Sequence, residues 1–294
     1  MMAPRTWMLQ AIWFSAALII AAPWVGYGSA SAGALDKIRT DQAIRIAYRD
    51  DARPFSYKDP DSAAPAGFMV DLCRAVAKKL ADQLGVPPLK VVYVSVTAAN
   101  RFEAIAKGNA DLLCEPTSAT LSRRKIVDFS ISTFVDGASL MTNDAALDSL
   151  HSLAGHKVGV LTGTTTEGVL RGLLKEEGTA AEIIPAKTHD DGLAMLESGE
   201  TSAYFADHAI LMFLRKNAAK HPEKLHIAGQ FLTVEPYALA LPHGDEDLRL
   251  AVDTALSHIF RTDEIGELYD HSFGGQMKQS DLIEALYAIS GLPD

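Results

Sequence analysis

One order of patterns occurs twice along this chain: a β-like run, a helical pattern, a second run, a second helix and a third run. The first pass reads "AIRIAY", "FMVDLCRAVAKKLADQLG", "KVVYVSV", "RFEAIAKG" and "ADLLCE". The second reads "KVGVL", "TTEGVLRGLLKEEG", "AEIIPA", "DDGLAMLESG" and "SAYFA". In the first long helix, Leu72, Val76, Leu80 and Leu84 fall four apart on one face, and Gly85 supplies the stop. Strands alternating with helices imply parallel sheets with helices packed on them, so the fold class is α/β. Three further helical patterns follow "YALAL". The β-like segments "GASLMTND" (Gly137–Asp144) and "EPYALALP" (Glu235–Pro242) bracket the second pass and read as crossings between two lobes.

The first 32 residues stand apart from this pattern. Arg5 is the only charge there, an apolar run extends from Met8 to Val25, and Ala30-Ser31-Ala32 fits a small-x-small cleavage site. That is the layout of a secretory signal peptide, and the alternative is an uncleaved anchor near the lower length for a span. With cleavage, roughly 260 of the 294 residues remain, enough for one large domain or two lobes. They carry 26 basic against 37 acidic residues. Nucleic acid and anionic membrane surfaces are poor partners for such a charge.

Cys73 and Cys114 are the only cysteines. Export permits a disulfide between them, and two buried thiols are the alternative. No Cys-x-x-Cys occurs and the nine histidines are scattered, so no metal site and no cofactor is expected. There is also no Gly-x-Ser-x-Gly and no phosphate loop, and nothing in the residues demands an enzyme.

Two loops carry ligand-binding chemistry. In "LTGTTTEGVL", Gly163 permits a tight turn and Thr164 with Glu167 forms a capping-box signature, at a helix start whose first N–H groups favour an anion. A capped helix with nothing bound is the alternative. In "CEPTSATLSRRKIVDFS", Thr117, Ser118 and Thr120 form a polar loop after a strand, where α/β proteins place ligands. Arg123 lies far enough on to fold back over that loop, and a guanidinium holds a carboxylate through two parallel hydrogen bonds. Arg124 reads as a solvated charge.

Taken together, "YRDDARPFSY", "VTAANRFEAIAKGNADLLCEPTSATLSRRKIVDFS", "TFVDG", "GTTTEGVL", "AKTHDDGLAMLESG" and "AYFADHAIL" cover nearly all of the chain after the leader. In this order they resemble the extracellular solute-binding proteins of family 3, which serve ABC importers of polar amino acids. Within the family the glutamate/aspartate-binding group is nearest. The resemblance implies a two-lobed type II periplasmic-binding-protein fold with two hinge β-strands. Lobe 1 would comprise residues 33–140 and 239–294, and lobe 2 residues 141–238. It implies that Arg123 holds the ligand's α-carboxylate, that Thr165 adds a donor from the other lobe, and that Asp207 holds the α-ammonium. It also implies that Arg49, Arg101 and His189 line the side-chain pocket. Three cationic or donor groups converging there would repel one another without an anion between them, which points to a second carboxylate on the ligand. The expected ligand is thus L-glutamate or L-aspartate, and the expected partner the permease of an ABC importer in the inner membrane. The protein would be periplasmic and monomeric.

The chain departs from the family's pattern at Pro116, where a Ser or Thr helps bind the amino group, and at Ala98, where a serine assists the side-chain carboxylate. Two alternatives follow: a dehydratase-like enzyme on the same scaffold acting on a cyclic dicarboxylate such as prephenate or arogenate, and a sensory subunit that presents ligand to a receptor. In the bland alternative, Arg49 and Arg101 pair with Asp50, Asp51 or Glu103.

Overall fold

A computed structural model describes residues 33–275 and 277–293. The signal peptide expected over residues 1–32 lies outside the described residues. Two five-stranded sheets organise the rest. In the first, strands Lys90–Val96, Ala43–Arg49 and Leu112–Leu113 run parallel, followed by Glu235–Pro242 and Val127–Asp136. In the second, Glu182–Ala186, Lys157–Leu161 and Ala203–Asp207 run parallel, followed by Ala138–Thr142 and His226–Ile227. Both sheets therefore have the same plan. Three parallel strands from one sequence pass are followed by an antiparallel strand whose chain has just come from the other sheet.

The two crossings lie side by side. Val127–Asp136 pairs with Glu235–Pro242, with Asp136 opposite Glu235. Gly137 then leads straight into Ala138–Thr142, which pairs along its whole length with Ala203–Asp207. The returning segment is tied to this step by Ala138 N donating to Thr233 Oγ1 at 2.8 Å and Leu232 N donating to Ala138 O at 2.8 Å. The change of sheet thus falls at Gly137 and between Ile227 and Glu235, slightly before the positions 140 and 238 read from the sequence. The reason is strand register, since each crossing strand is paired within a single sheet from its first residue to its last.

The apolar face expected from "FMVDLCRAVAKKLADQLG" is the core of the first lobe. Helix Phe68–Leu84 buries Leu72, Val76 and Leu80 completely and ends on Gly85 in the left-handed region. It packs against helices Glu246–Phe260 and Glu264–Phe273, so the C-terminal helices return to the lobe that contains the first strands. Fully burying side chains of this size contributes about 1.5–3 kcal/mol each. Among the described residues no helix is long and apolar enough to cross a membrane.

Cys73, on that helix, is bonded to Cys114, which follows strand Leu112–Leu113. The Cα atoms are 6.3 Å apart and 41 positions separate the two residues. In the chain-entropy account, closing a loop of that length stabilises by about 4 kcal/mol. A Cys73→Ala/Cys114→Ala variant is expected to lose about that much unfolding free energy in denaturant titration. A loss under about 1 kcal/mol would mean that the bridge does not constrain the unfolded chain.

Candidate functional site

Every residue singled out from the sequence sits at the carboxyl end of one of the six parallel strands. Arg49 and Asp207 are the last residues of their strands. Arg101 starts the short helix after Lys90–Val96, and the Thr117–Arg123 loop follows Leu112–Leu113. Thr164 and Thr165 open the helix after Lys157–Leu161, and His189 opens the one after Glu182–Ala186. This is the crevice position favoured for ligands in open α/β sheets.

Contacts between the loops of the two sheets close this crevice. Arg101 Nη2 reaches Gly163 O at 3.4 Å, and His189 N donates to Asp51 Oδ2 at 3.4 Å. Gly163, at φ +79°, allows the close approach: a Cβ there would be 3.3 Å from Ala98 O. Glu235 Oε2, near the second crossing, accepts from Thr165 Oγ1 at 3.0 Å and from Ser118 Oγ, so one carboxylate ties hydroxyls from loops of both sheets.

Arg123 donates from Nη1 to Ser118 O at 2.8 Å, folding back over its own loop. Its guanidinium and that of Arg101 both face the Phe102 ring, 4.9 and 4.8 Å from the centroid. Burial, and next the charge of Arg101, lower its pKa to about 10, which leaves it cationic at neutral pH. Thr117 is fully buried, and its Oγ1 has no hydrogen-bond partner among the described residues. The Thr164 hydroxyl is occupied locally: it accepts from Glu167 N at 3.2 Å and donates to Leu161 O at 2.7 Å. It serves as a helix cap. The Glu167 carboxylate turns to Gly163 N at 2.9 Å.

His189, expected among groups that are cationic or hydrogen-bond donors, is the uncharged one. Burial, and next the neighbouring Arg49, push its pKa down to about 3, so the imidazole is neutral. Its Nδ1 is 2.9 Å from the Tyr204 hydroxyl. A Cβ on Gly192 would fall 2.1 Å from Cε2 of Tyr204, so a glycine there lets that ring reach the histidine.

No sequence pattern points to Glu115. This residue is fully buried and lies between the two pocket arginines, with Oε1 at 3.2 Å from Arg101 Nε and Oε2 at 3.7 Å from Arg49 Nη1. Arg49 turns its other edge to Asp51, donating from Nε at 2.9 Å and Nη2 at 2.8 Å. The pairing with Asp51 considered from the sequence therefore forms, and the anion between the arginines belongs to the protein. Only its position in the fold distinguishes Glu115: "ADLLCE" reads as a strand ending in an ordinary polar residue.

A second acidic group lies at the other end of the crevice. Asp207, Asp136 and Glu235 are close enough to repel, and burial first, then that repulsion, hold Asp207 well above the usual carboxylate range. Among the described residues neither Asp207 Oδ1 nor the Tyr237 hydroxyl has a partner at full hydrogen-bond geometry, and the hydroxyl stands beside the Asp207 and Asp136 carboxyl groups. Asp136, which accepts from Gly137 N at 2.8 Å and Ala209 N at 3.1 Å, is raised to about 7, chiefly by burial. With Asp51 and Glu115, the crevice gathers five acidic side chains and three arginines, and Asp51 and Glu115 pair with two of those arginines.

These geometries match a known class. The model of bacterial extracellular solute-binding proteins, family 3, matches residues 44–275. An L-glutamate/L-aspartate-binding protein of Pseudomonas aeruginosa is 31% identical over 242 residues, which are 82% of this chain and 80% of that protein. A glutamate/aspartate import solute-binding protein of Escherichia coli is 29% identical over 86% of this chain and 83% of its own. Among solved structures, an ancestral amino acid-binding protein described as a precursor of cyclohexadienyl dehydratase superposes with a TM-score of 0.71 at 26% identity. That match covers 82% of this chain and all of the other. The chain belongs to the bacterial extracellular solute-binding proteins, family 3, and has their two-lobed type II fold.

The buried acids predict a pH dependence of stability. Asp136 keeps its proton to about 7 against an ordinary 3.8, so between about pH 4 and 7 the folded protein holds more protons than the unfolded chain. Its contribution to stability therefore falls as pH rises through that window. His189 acts oppositely: its folded value of about 3 against 6.5 costs stability as pH falls from about 6.5 to 3. Asp136→Asn should improve unfolding free energy relative to the parent more at pH 8 than at pH 4. An equal change at both values would mean that Asp136 carries no excess proton.

Proposed function

We propose that this protein captures an α-amino acid between its lobes and delivers it to an ABC importer. The observation that carries the reading is the arrangement of opposite charges from opposite sheets. Arg123 comes from a loop of the first sheet, partly buried, and its guanidinium makes one hydrogen bond among the described residues. Asp207 ends a strand of the second sheet, with a buried carboxyl oxygen that has no partner at full hydrogen-bond geometry among the described residues and only the Tyr237 hydroxyl beside it. A zwitterion whose carboxylate meets Arg123 and whose ammonium meets Asp207 satisfies both, with Thr165, Ser118 and Thr117 beside it. The ammonium also relieves the repulsion among Asp207, Asp136 and Glu235. A ligand shifts a lobe equilibrium only through contacts that it makes in one state and lacks in the other, and a zwitterion spanning both lobes meets that condition.

Export by the leader at residues 1–32 would place the mature protein in the periplasm, where it works as a monomer with an inner-membrane permease as partner. The lobes would be the two sheets with their helices, hinged at the paired crossings beside Asp136 and Glu235.

A second, finer reading takes the ligand to be L-glutamate or L-aspartate. The names of the Pseudomonas aeruginosa and Escherichia coli relatives favour it, as do two arginines and a histidine in one pocket. Against it stand Asp51 and Glu115, which already neutralise those arginines.

Calorimetric titration of protein freed of bound ligand tests the amino-acid reading. Removing one partner of a buried charged contact costs about 3–5 kcal/mol, or on the order of 100-fold or more in Kd. Arg123→Ala and Asp207→Asn should each weaken every amino acid by at least that factor. Unchanged binding in both variants would place the ligand elsewhere.

A further inference from the structure

The side-chain end of the crevice contains a residue that the resemblance does not account for. Glu115 is fully buried, and neither of its carboxylate oxygens has a hydrogen-bond donor at bonding geometry among the described residues. Its ion-pair partners are Arg49 and Arg101. The rest of each guanidinium is engaged as well. Arg49 makes a two-point contact with Asp51. Arg101 donates from Nη1 to Ala98 O at 2.6 Å and from Nη2 to Gly163 O. With Arg123, which also neighbours Glu115, committed to the α-carboxylate in the amino-acid reading, the other two arginines face two carboxylates, and no net positive charge remains for a ligand's side chain.

Glu115 has little freedom to withdraw. Cys114, immediately before it, is bonded to Cys73, and its N–H donates to Ala47 O at 2.8 Å. On the other side Pro116 lacks a rotatable φ, and Ser118 pairs with Tyr237. The backbone on both sides of the glutamate is therefore fixed, and its carboxylate is held between Arg49 and Arg101.

We propose that Glu115 determines ligand specificity. It supplies from within the carboxylate that an acidic amino acid would bring, and the pocket therefore takes uncharged, hydrogen-bonding side chains, carboxamides first. This rests on the amino-acid reading above. A carboxylate entering here can only accept hydrogen bonds and meets Asp51 and Glu115 as like charges. A carboxamide offers an oxygen to the guanidinium groups and an NH2 to the undonated oxygens of Glu115, which satisfies both signs at once. The change at Ala98, where a serine would assist a ligand carboxylate, fits the same selection.

The test is calorimetric titration of the ligand-free protein with two near-isosteric pairs, L-glutamine with L-glutamate and L-asparagine with L-aspartate. The parent protein is expected to prefer an amide over its acid by about tenfold or more. Glu115→Gln removes the internal charge at constant size and should move that ratio at least about tenfold towards the acid. Serine or cysteine binding without aspartate binding would also support the inference. Tighter binding of glutamate or aspartate than of the amide by the parent protein would overturn it and leave the amino-acid reading intact, as would a ratio unchanged in the variant. If Glu115→Gln does not fold, the ratio in the parent protein decides. Failure of the parent to bind any amino acid would overturn both readings together.

Discussion

Charge taken out of water has to be paired, and in this protein that requirement governs the crevice between the two sheets. Arg49 and Arg101 are each only 2% exposed. An isolated guanidinium at such depth would be strongly disfavoured, and Asp51 and Glu115 make the arrangement possible. Removing either acid would leave a buried cation uncompensated, whereas an added anion would oppose the acids already present. Burial raises the pKa of Glu115 and lowers that of Arg101, so each group resists ionisation by itself and favours it in the other. The four groups therefore act as one unit.

The opposite end of the crevice is left out of balance. Asp207, Asp136 and Glu235 gather beside the crossings, and Arg123 is the cation that faces Glu235 and Asp207. Glu235 is bound to hydroxyls from both sheets, and Asp136 anchors the first residues beyond the step into the second sheet. Two of these carboxylates, Asp136 and Glu235, thus belong to the strands that cross between the sheets, where they stand opposite each other.

Much of this was legible in the sequence. The helix at Phe68–Leu84 follows from four-residue spacing and a terminal glycine, and the doubled strand–helix order determines two parallel sheets. A parallel strand in such a sheet ends in a loop at the crevice, so the loops of Arg123 and Thr165 could be placed there from order, whereas Asp207 was reached only through the family resemblance. The family resemblance then gave them roles. Periodicity was less exact about the crossings, because a strand's pattern shows that it pairs and does not show with which sheet.

The balance of the site was not legible. Thr164 and Thr165 are neighbours in one motif, yet one hydroxyl caps the helix and the other reaches Glu235, 70 positions away. His189 reads as a cation or a hydrogen-bond donor, and only burial beside Tyr204 and Arg49 decides for the neutral form. Glu115 stands 14 positions from Arg101 and closes the charge count that the arginines open. The sequence by itself determined the two sheets, the surface charge and the set of loops that meet, because periodicity and strand order are local properties. Tertiary structure alone decided which charges cancel, because desolvation and ion pairing depend on distances between residues far apart in the chain.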